Sequence, residues 1–125
     1  MTPQQLVAEA KAQIREVDVA EAAQMLNKGQ LCLDVREVGE FEIEHLMDAI
    51  NIPRGVLEFR IGENPLFADK SKSILVYCKT GGRSALAAFN LQRLGYTVLS
   101  IAGGLEAWQK QGLPLNKDNN CYGNP

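Results

Sequence analysis

Three short apolar runs separated by helical patterns place the strongest constraint on the fold of this 125-residue chain. They lie at 31–33, 74–77 and 97–101, and each ends in turn-forming or polar residues. Runs of this length that are apolar on both faces are typical of central strands in a parallel sheet. Weaker strand candidates lie at 14–17 and 50–52.

Helical patterns occupy the segments around these strand candidates. We predict helices at 6–11, 19–27, 38–45, 56–61, 83–94 and 105–111. Asp18 and Glu21 have the spacing of a capping box at the second helix, and Gly95 stands where the fifth helix would end. Strands that alternate with helices predict an α/β fold with right-handed crossovers and a mostly parallel sheet. Ligands of such sheets bind beyond the carboxyl ends of the strands, so the residues after each run are site candidates.

Composition and charge exclude several classes of protein. The chain is 46% hydrophobic and 22% charged, as globular proteins are, and its formal net charge is −2. No basic run suggests a nucleic-acid partner, and no apolar stretch approaches the roughly 20 residues that span a membrane. Residues 1–6 lack the basic start and apolar core of a secretory signal, so we expect a cytoplasmic protein with reduced cysteines. We expect one domain over 1–115 and a flexible C-terminal tail at 116–125.

The three cysteines, at positions 32, 78 and 121, are odd in number and far apart, so we expect no disulfide framework. Together with the single histidine they make a poor zinc site, and we predict no metal or other cofactor. Cys32 lies inside an apolar run and is interpreted as a core residue. Cys121 could form a disulfide with Cys78, but we favour an incidental thiol.

The segment 77–84 carries the clearest sign of chemistry. Cys78 stands where a buried strand ends, and the two glycines that follow permit tight curvature and positive φ angles. Such a loop can turn several N–H groups inward as an anion site, and the helix that begins near Arg83 points its positive end there. Lys79 and Arg83 add formal charge nearby. These surroundings favour a thiolate, so Cys78 is predicted to be a nucleophile rather than an inert buried thiol.

Four segments resemble, in order and spacing, the motifs of the rhodanese family. They are Cys78-Lys79-Thr80-Gly81-Gly82-Arg83-Ser84, similar to its active-site loop; Leu33-Asp34-Val35-Arg36-Glu37, similar to its strand-end signature; His45 with Ala49-Ile50-Asn51-Ile52-Pro53, similar to its histidine segment; and Gly103-Gly104 with Trp108, similar to the glycine pair and tryptophan after its last strand. Together they cover the chain from about Val17 to Pro114. The resemblance implies a single domain with a five-stranded, mostly parallel sheet and helices on both faces.

The resemblance also implies a sulfurtransferase, in which Cys78 takes a sulfur atom from a small anionic donor and holds it as a persulfide. The donor would be bound by Lys79, Thr80, Gly81, Gly82, Arg83 and Ser84. We expect thiosulfate as the donor and cyanide, a thiol or a protein cysteine as the acceptor. Four residues separate Cys78 from Arg83, as in relatives that transfer sulfur, whereas relatives acting on phosphate or arsenate have one more. A phosphatase or arsenate reductase is therefore the weaker alternative, and a sulfur-relay or docking module with little turnover of its own is another.

Three residues outside the loop are supporting candidates. Asp34 and Arg36 could shape the pocket, but carboxylates at strand ends often satisfy backbone N–H groups, so we favour a structural ion pair or loop cap. His45 could act as a general base for Cys78. We favour a structural histidine, because the loop itself can ionise the thiol. Near this histidine the chain departs from the family's Gly and Pro-Gly pattern, having Glu44, Met47 and Asp48 instead.

Overall fold

The computed structural model describes residues 1–117 of the chain, and these residues form a five-stranded sheet. The strands are β1 (Arg15–Val17), β2 (Leu31–Asp34), β3 (Ile50–Asn51), β4 (Ser73–Tyr77) and β5 (Thr97–Ile101). Every neighbouring pair is parallel, and the order across the sheet is β1-β5-β4-β2-β3. The predicted α/β fold with a five-stranded parallel sheet is therefore confirmed.

Helices flank these strands along the described chain. They are α1 (Pro3–Gln13), α2 (Val19–Asn27), α3 (Val38–Ile43), α4 (Leu57–Arg60), α5 (Gly82–Arg93) and α6 (Gly104–Lys110), with 3₁₀ turns at Arg54–Val56, Ile61–Glu63 and Pro65–Phe67. The prediction of one helix at 56–61 is wrong in detail, because only α4 is α-helical and 3₁₀ turns precede and follow it. No side chain caps the start of α4, which fits its short length.

Capping explains where other helices begin. Asp18 caps α2, since its carboxylate accepts the Glu21 N–H at 2.8 Å. This is one of the two bonds of the predicted capping box, and the reciprocal bond to the Glu21 side chain is not formed within the described residues. Helix α1 begins at Pro3, three residues before the predicted start, because Thr2 and Gln5 form a capping box. Proline suits this first helical position, where its missing N–H costs no hydrogen bond.

Side chains of β4 alternate between two apolar layers, as the period of a strand requires. Val76 and Cys78 face a layer that contains side chains of α4 and α5. Leu75 and Tyr77 face the opposite layer, which contains side chains of α2 and α6, among them Trp108. Helices therefore cover both faces of the sheet, and Trp108 is a buried packing residue between α6 and the sheet. Because Cys78 continues the alternation of β4, it leaves the sheet on the side of α5.

The register places the candidate segments at one edge of the sheet. Strand β4 pairs with both β2 and β5 in parallel, so the segments that follow these three strands lie side by side. Helix α1 packs on α5, the helix that begins in the cysteine loop. None of the helices described within 1–117 is long and apolar enough to cross a membrane.

The start of the predicted tail is held by backbone hydrogen bonds. The His45 N–H donates to the Asn116 carbonyl and the Asn116 N–H donates to the His45 carbonyl, each at 2.8 Å. Because His45 pairs with Asn116, it is not part of the helix. Helix α3 ends at Ile43, whereas we predicted an end at residue 45. Cys121 and the remainder of the tail lie outside the described residues, and their flexibility stays a prediction.

Candidate active site

Cys78 lies one residue beyond β4 and is 1% exposed. Its Sγ accepts the Gly81 N–H at 3.1 Å and the Ser84 N–H at 3.3 Å. The Ser84 hydroxyl oxygen lies 3.5 Å from the same sulfur. The Ser84 hydroxyl donates to the Gly81 carbonyl at 3.3 Å. Two backbone N–H groups thus donate to one sulfur atom, which is an environment that suits an anion.

The sulfur takes the position of a capping side chain for α5. Gly81 is the N-cap residue of this helix and has no side chain to accept a hydrogen bond from its first turn. Cys78 Sγ accepts the N–H of Ser84, which lies three residues beyond Gly81, and this is the bond that the side-chain oxygen of an N-cap residue normally makes. Because the start of a helix carries partial positive charge, this position favours a thiolate over a thiol.

Other N–H groups of the loop are left without a partner. Within residues 1–117, the backbone N–H groups of Lys79, Thr80, Gly82 and Arg83 make no hydrogen bond. Two of these, Gly82 and Arg83, belong to the first turn of α5, where donors have no partner within the helix. The left-handed φ of +109° at Gly81 permits the tight curve that gathers these groups. An anionic ligand would supply the acceptors that they lack.

A second serine, which sequence reasoning missed, stands behind the first. The Ser100 hydroxyl donates to the Ser84 hydroxyl oxygen at 2.9 Å, and both serines are fully buried. Ser100 belongs to β5 and is the one buried polar residue of this strand, since Thr97 is exposed. Such a residue is a weak signal in sequence, because its partner cannot be read from local spacing. Here it fixes the position of the hydroxyl next to Cys78.

The glycine pair after β5 lets α6 approach the cysteine loop. The Leu105 N–H donates to the Cys78 carbonyl at 2.9 Å, and the Glu106 N–H donates to the Lys79 carbonyl at 3.0 Å. The first turn of α6 is therefore satisfied by the loop itself. A Cβ atom at Gly104 would lie 2.5 Å from the Cys78 carbonyl oxygen, so only glycine fits this approach.

The two predicted cations of the loop differ in their surroundings. Arg83 makes a two-pronged ion pair with Glu40, with N–O distances of 2.7 and 3.1 Å. This hydrogen bonding from Arg83 lowers the pKa of Glu40 to about 2, and hydrogen bonding to Glu40 raises the pKa of Arg83. Lys79 is exposed and has no ion-pair partner in the described part of the chain. Sequence reasoning missed Glu40, since it lies 43 residues from Arg83.

Helix α1 brings a further cation to the loop. The Nζ of Lys11 lies 3.9 Å from the point where a Cβ at Gly81 would stand, and 3.9 Å from a carboxylate oxygen of Glu16. Val7 packs beside Gly82, at 3.7 Å from its corresponding Cβ position. The sequence carried no signal for this contact, because α1 and the loop meet only in the folded chain.

Asp34, the last residue of β2, forms a buried ion pair with Arg36. The shortest N–O distance is 2.8 Å, and the two side chains are 0% and 4% exposed. Arg36 also donates to the Glu44 carbonyl at 2.7 Å, and the Asn51 side chain donates to the Asp34 and Arg36 carbonyls. These contacts join the segment after β2 to the end of α3 and to β3, and they support the structural interpretation of the pair.

The surroundings of His45 are those of a structural side chain. Its Nδ1 lies 2.9 Å from the Phe41 carbonyl oxygen, and its ring stacks on that of Phe41 with centroids 3.7 Å apart. Tyr77 lies beneath this turn, where its hydroxyl oxygen accepts the Leu46 N–H at 3.0 Å. Asp48 has a φ of +62°, so it takes the left-handed conformation that glycine adopts most readily.

Comparisons with known proteins agree with this geometry. A family model described as "Rhodanese-like domain" matches residues 18–111. A protein named sulfurtransferase from Allochromatium vinosum is 31% identical over 105 residues, covering 82% of this chain and 94% of that protein. Thiosulfate sulfurtransferase 16, chloroplastic, from Arabidopsis thaliana is 39% identical over 109 residues, covering 78% and 89% respectively. A solved structure from Rhodopseudomonas palustris, described as a protein of unknown function and possible tyrosine phosphatase, superposes with a TM-score of 0.85 at 30% identity, covering 93% of this chain and 95% of that one. The family match includes the whole cysteine loop and excludes α1.

Proposed function

This chain belongs to the rhodanese family, and from that membership we propose that it is a sulfurtransferase with Cys78 as its nucleophile. A sulfane sulfur passes from a donor such as thiosulfate to an acceptor through a persulfide on Cys78. The relatives named sulfurtransferase support this class of reaction. The observation that carries the proposal is the set of backbone N–H groups around the Cys78 sulfur. Two of them donate hydrogen bonds to the sulfur, and four have no hydrogen-bond partner in the described chain.

In the first step, the Cys78 thiolate attacks the outer sulfur of thiosulfate. A new S–S bond forms at Sγ while the S–S bond of thiosulfate breaks, and sulfite leaves with that electron pair. Negative charge then lies on the terminal sulfur of the persulfide. A hydrogen bond to a charged group contributes about 1.5–3 kcal/mol, so the loop N–H groups can stabilise both the thiolate and the new anion.

In the second step, a nucleophilic acceptor attacks the terminal sulfur. With cyanide, a C–S bond forms, the S–S bond of the persulfide breaks, and the Cys78 thiolate returns as thiocyanate leaves. Thiols and protein cysteines react at the same sulfur, giving a new persulfide. The covalent intermediate divides one exchange into two easier ones. Neither step as written calls for a metal or cofactor.

The residues around the loop take positioning roles in this proposal. Asp34 and Arg36 hold the segment after β2 beside the loop, and His45 holds the turn that follows α3. Four residues separate Cys78 from Arg83, and this short loop supports sulfur rather than a tetrahedral phosphate or arsenate as the bound group.

Thiocyanate formation from thiosulfate and cyanide tests the proposal. We expect the wild-type protein to turn over, Cys78→Ser to lose turnover at least about 100-fold, and Cys32→Ala to retain it, because Cys32 lies in the opposite apolar layer. An aryl phosphate is offered in parallel. Turnover that survives Cys78→Ser, or phosphate release faster than sulfur transfer, would overturn the assignment. Absence of any turnover, with a persulfide formed on Cys78, would favour a sulfur-relay module.

A further inference from the structure

Arg83 is the last residue of the cysteine loop that carries a positive charge, and its guanidinium is already paired with Glu40. Both of its terminal nitrogens donate to the two carboxylate oxygens of Glu40, at 2.7 and 3.1 Å. The pair sits at the surface, since the two side chains are 36% and 34% exposed. Hydrogen bonding to Glu40 is the largest cause that raises the pKa of Arg83, and the charge of the nearby Cys78 raises this pKa by a smaller amount. An anion that entered the loop would therefore meet a cation that is shared with a carboxylate.

Glu40 is itself held in place on the loop side of α3. Its Oε1, which contacts Arg83, also accepts the Glu37 N–H at 2.9 Å, so the carboxylate is fixed by the start of the helix. Arg83 lowers the pKa of Glu40 to about 2, and the side chain is negative throughout the neutral range. Glu40 therefore presents a permanent negative charge to any donor that approaches Arg83.

We propose that Glu40 determines the charge of the sulfur donors that the site accepts, by competing with an anionic donor for Arg83. This proposal rests on the proposed function and narrows its substrate class. A donor with two negative charges is repelled by Glu40 twice as strongly as a donor with one. Glu40 therefore lowers the reactivity of the site toward dianionic thiosulfate more than toward monoanionic donors, such as thiosulfonates and small persulfides.

The other cations near the loop do not remove this effect of Glu40. Lys79 is exposed and unpaired in the described chain, so solvent and salt screen its charge. Lys11 lies near the loop but shares its charge with Glu16. The two-pronged pair with Glu40 is the shortest ion-pair contact that any of these three cations makes. Removing the charge of Glu40 is therefore the change that most directly frees a loop cation.

Glu40→Gln is the informative variant, because glutamine keeps an oxygen that can accept the Glu37 N–H and bond one guanidinium nitrogen. We measure kcat/KM with thiosulfate, a dianion, and with methanethiosulfonate, a monoanion, at low ionic strength. We expect the ratio of kcat/KM for thiosulfate to kcat/KM for methanethiosulfonate to rise at least about fivefold in Glu40→Gln. Added salt should reduce this gain, since it screens charges at the surface.

Glu21→Gln is the matched control. It removes the same charge from a surface ion pair, with Arg15, beside the amino ends of β4 and β5 and thus at the edge of the sheet opposite Cys78. We expect its donor ratio to equal that of the wild type. If Glu40 only clamps α3 to α5, both donors will lose activity together in Glu40→Gln and their ratio will not change. That result would contradict the proposal.

A binding measurement separates this proposal from the proposed function. In a Cys78→Ser background, which cannot form a persulfide, calorimetry gives the Kd of thiosulfate with and without Glu40→Gln. We expect thiosulfate to bind about fivefold tighter when Glu40 is replaced. Unchanged affinity would reject the role of Glu40 even if turnover were present. Tighter affinity in a protein without turnover would support competition for Arg83 and reject only the catalytic assignment.

Discussion

Gly104→Ala should disturb the active-site loop from a residue that is not part of it. An alanine Cβ at this position would lie 2.5 Å from the Cys78 carbonyl oxygen and 2.7 Å from the Lys79 carbonyl oxygen. Both contacts are with backbone, which cannot rotate away as a flexible side chain can. The loop and the start of α6 must therefore separate, and the two hydrogen bonds that join them must lengthen.

The size of the effect follows from two contributions. Gly104 has a φ of +57°, and a residue with a Cβ pays roughly 1–2 kcal/mol to adopt that left-handed conformation. Loss of the hydrogen bonds from Leu105 and Glu106 to the loop carbonyls costs about 0.5–1.5 kcal/mol each. Together we expect Gly104→Ala to lower the free energy of unfolding by about 2–5 kcal/mol, a large part of the stability of a small domain.

Gly112→Ala provides the matched control for the backbone contribution. Gly112 has a φ of +68°, but nothing lies within 4 Å of its Cβ position. Urea unfolding should therefore show a loss of only about 1–2 kcal/mol for this variant. Sulfur transfer should fall in Gly104→Ala, because the displaced carbonyl belongs to Cys78, and should persist in Gly112→Ala. Equal losses of stability in the two variants would refute the steric argument.

Two ion pairs and the buried thiol of Cys32 provide three more tests. Asp34→Asn leaves the buried guanidinium of Arg36 without its counter-ion, and we expect urea unfolding to show a loss of about 3–5 kcal/mol; a loss below about 1 kcal/mol would contradict the buried pair. The pKa of Glu40 is lowered from 4.5 to about 2, so its stabilising contribution is complete above pH 4.5 and is lost as the pH falls towards 2. The difference in unfolding free energy between wild type and Glu40→Gln should shrink over that range, and a difference independent of pH would count against the pair. Burial and, next, the charge of Asp34 raise the pKa of Cys32, so iodoacetamide at neutral pH should modify Cys78 and leave Cys32 unmodified in peptide mass spectra; equal labelling would refute the contrast between the two thiols.

Local sequence predicts the elements of this fold because their causes are local. The three apolar runs became β2, β4 and β5, since strands buried on both faces need apolar side chains throughout. Asp18 predicts the start of α2 through its own side chain. Thr2 and Gln5 carry the same kind of signal for α1, and reading it would have placed that helix start correctly.

The remaining differences arise where partners are distant in sequence. The end of α3 could not be predicted, because the backbone of His45 pairs with that of Asn116. The apolar pattern around α4 alone predicts one helix. The structure has short helical turns there, and no side chain caps the start of α4. Such boundaries depend on tertiary contacts that periodicity does not contain.

The candidate site divides along the same line. The position of Cys78 and the curve of its loop follow from one contiguous stretch, so sequence predicts them. The residues that surround the loop cannot be predicted in this way. Ser100, Glu40 and Lys11 reach the loop from β5, α3 and α1, and each would be an ordinary polar residue if its element packed elsewhere.

The most direct test of the central claim is the mass of the peptide that contains Cys78 after incubation of the protein with thiosulfate. We predict the addition of one sulfur atom to this peptide, its removal by cyanide with formation of thiocyanate, and no addition in Cys78→Ser. The peptide that contains Cys32 should remain unchanged. An unmodified Cys78 peptide under conditions that yield thiocyanate, or an added sulfur found only on another cysteine, would contradict the account.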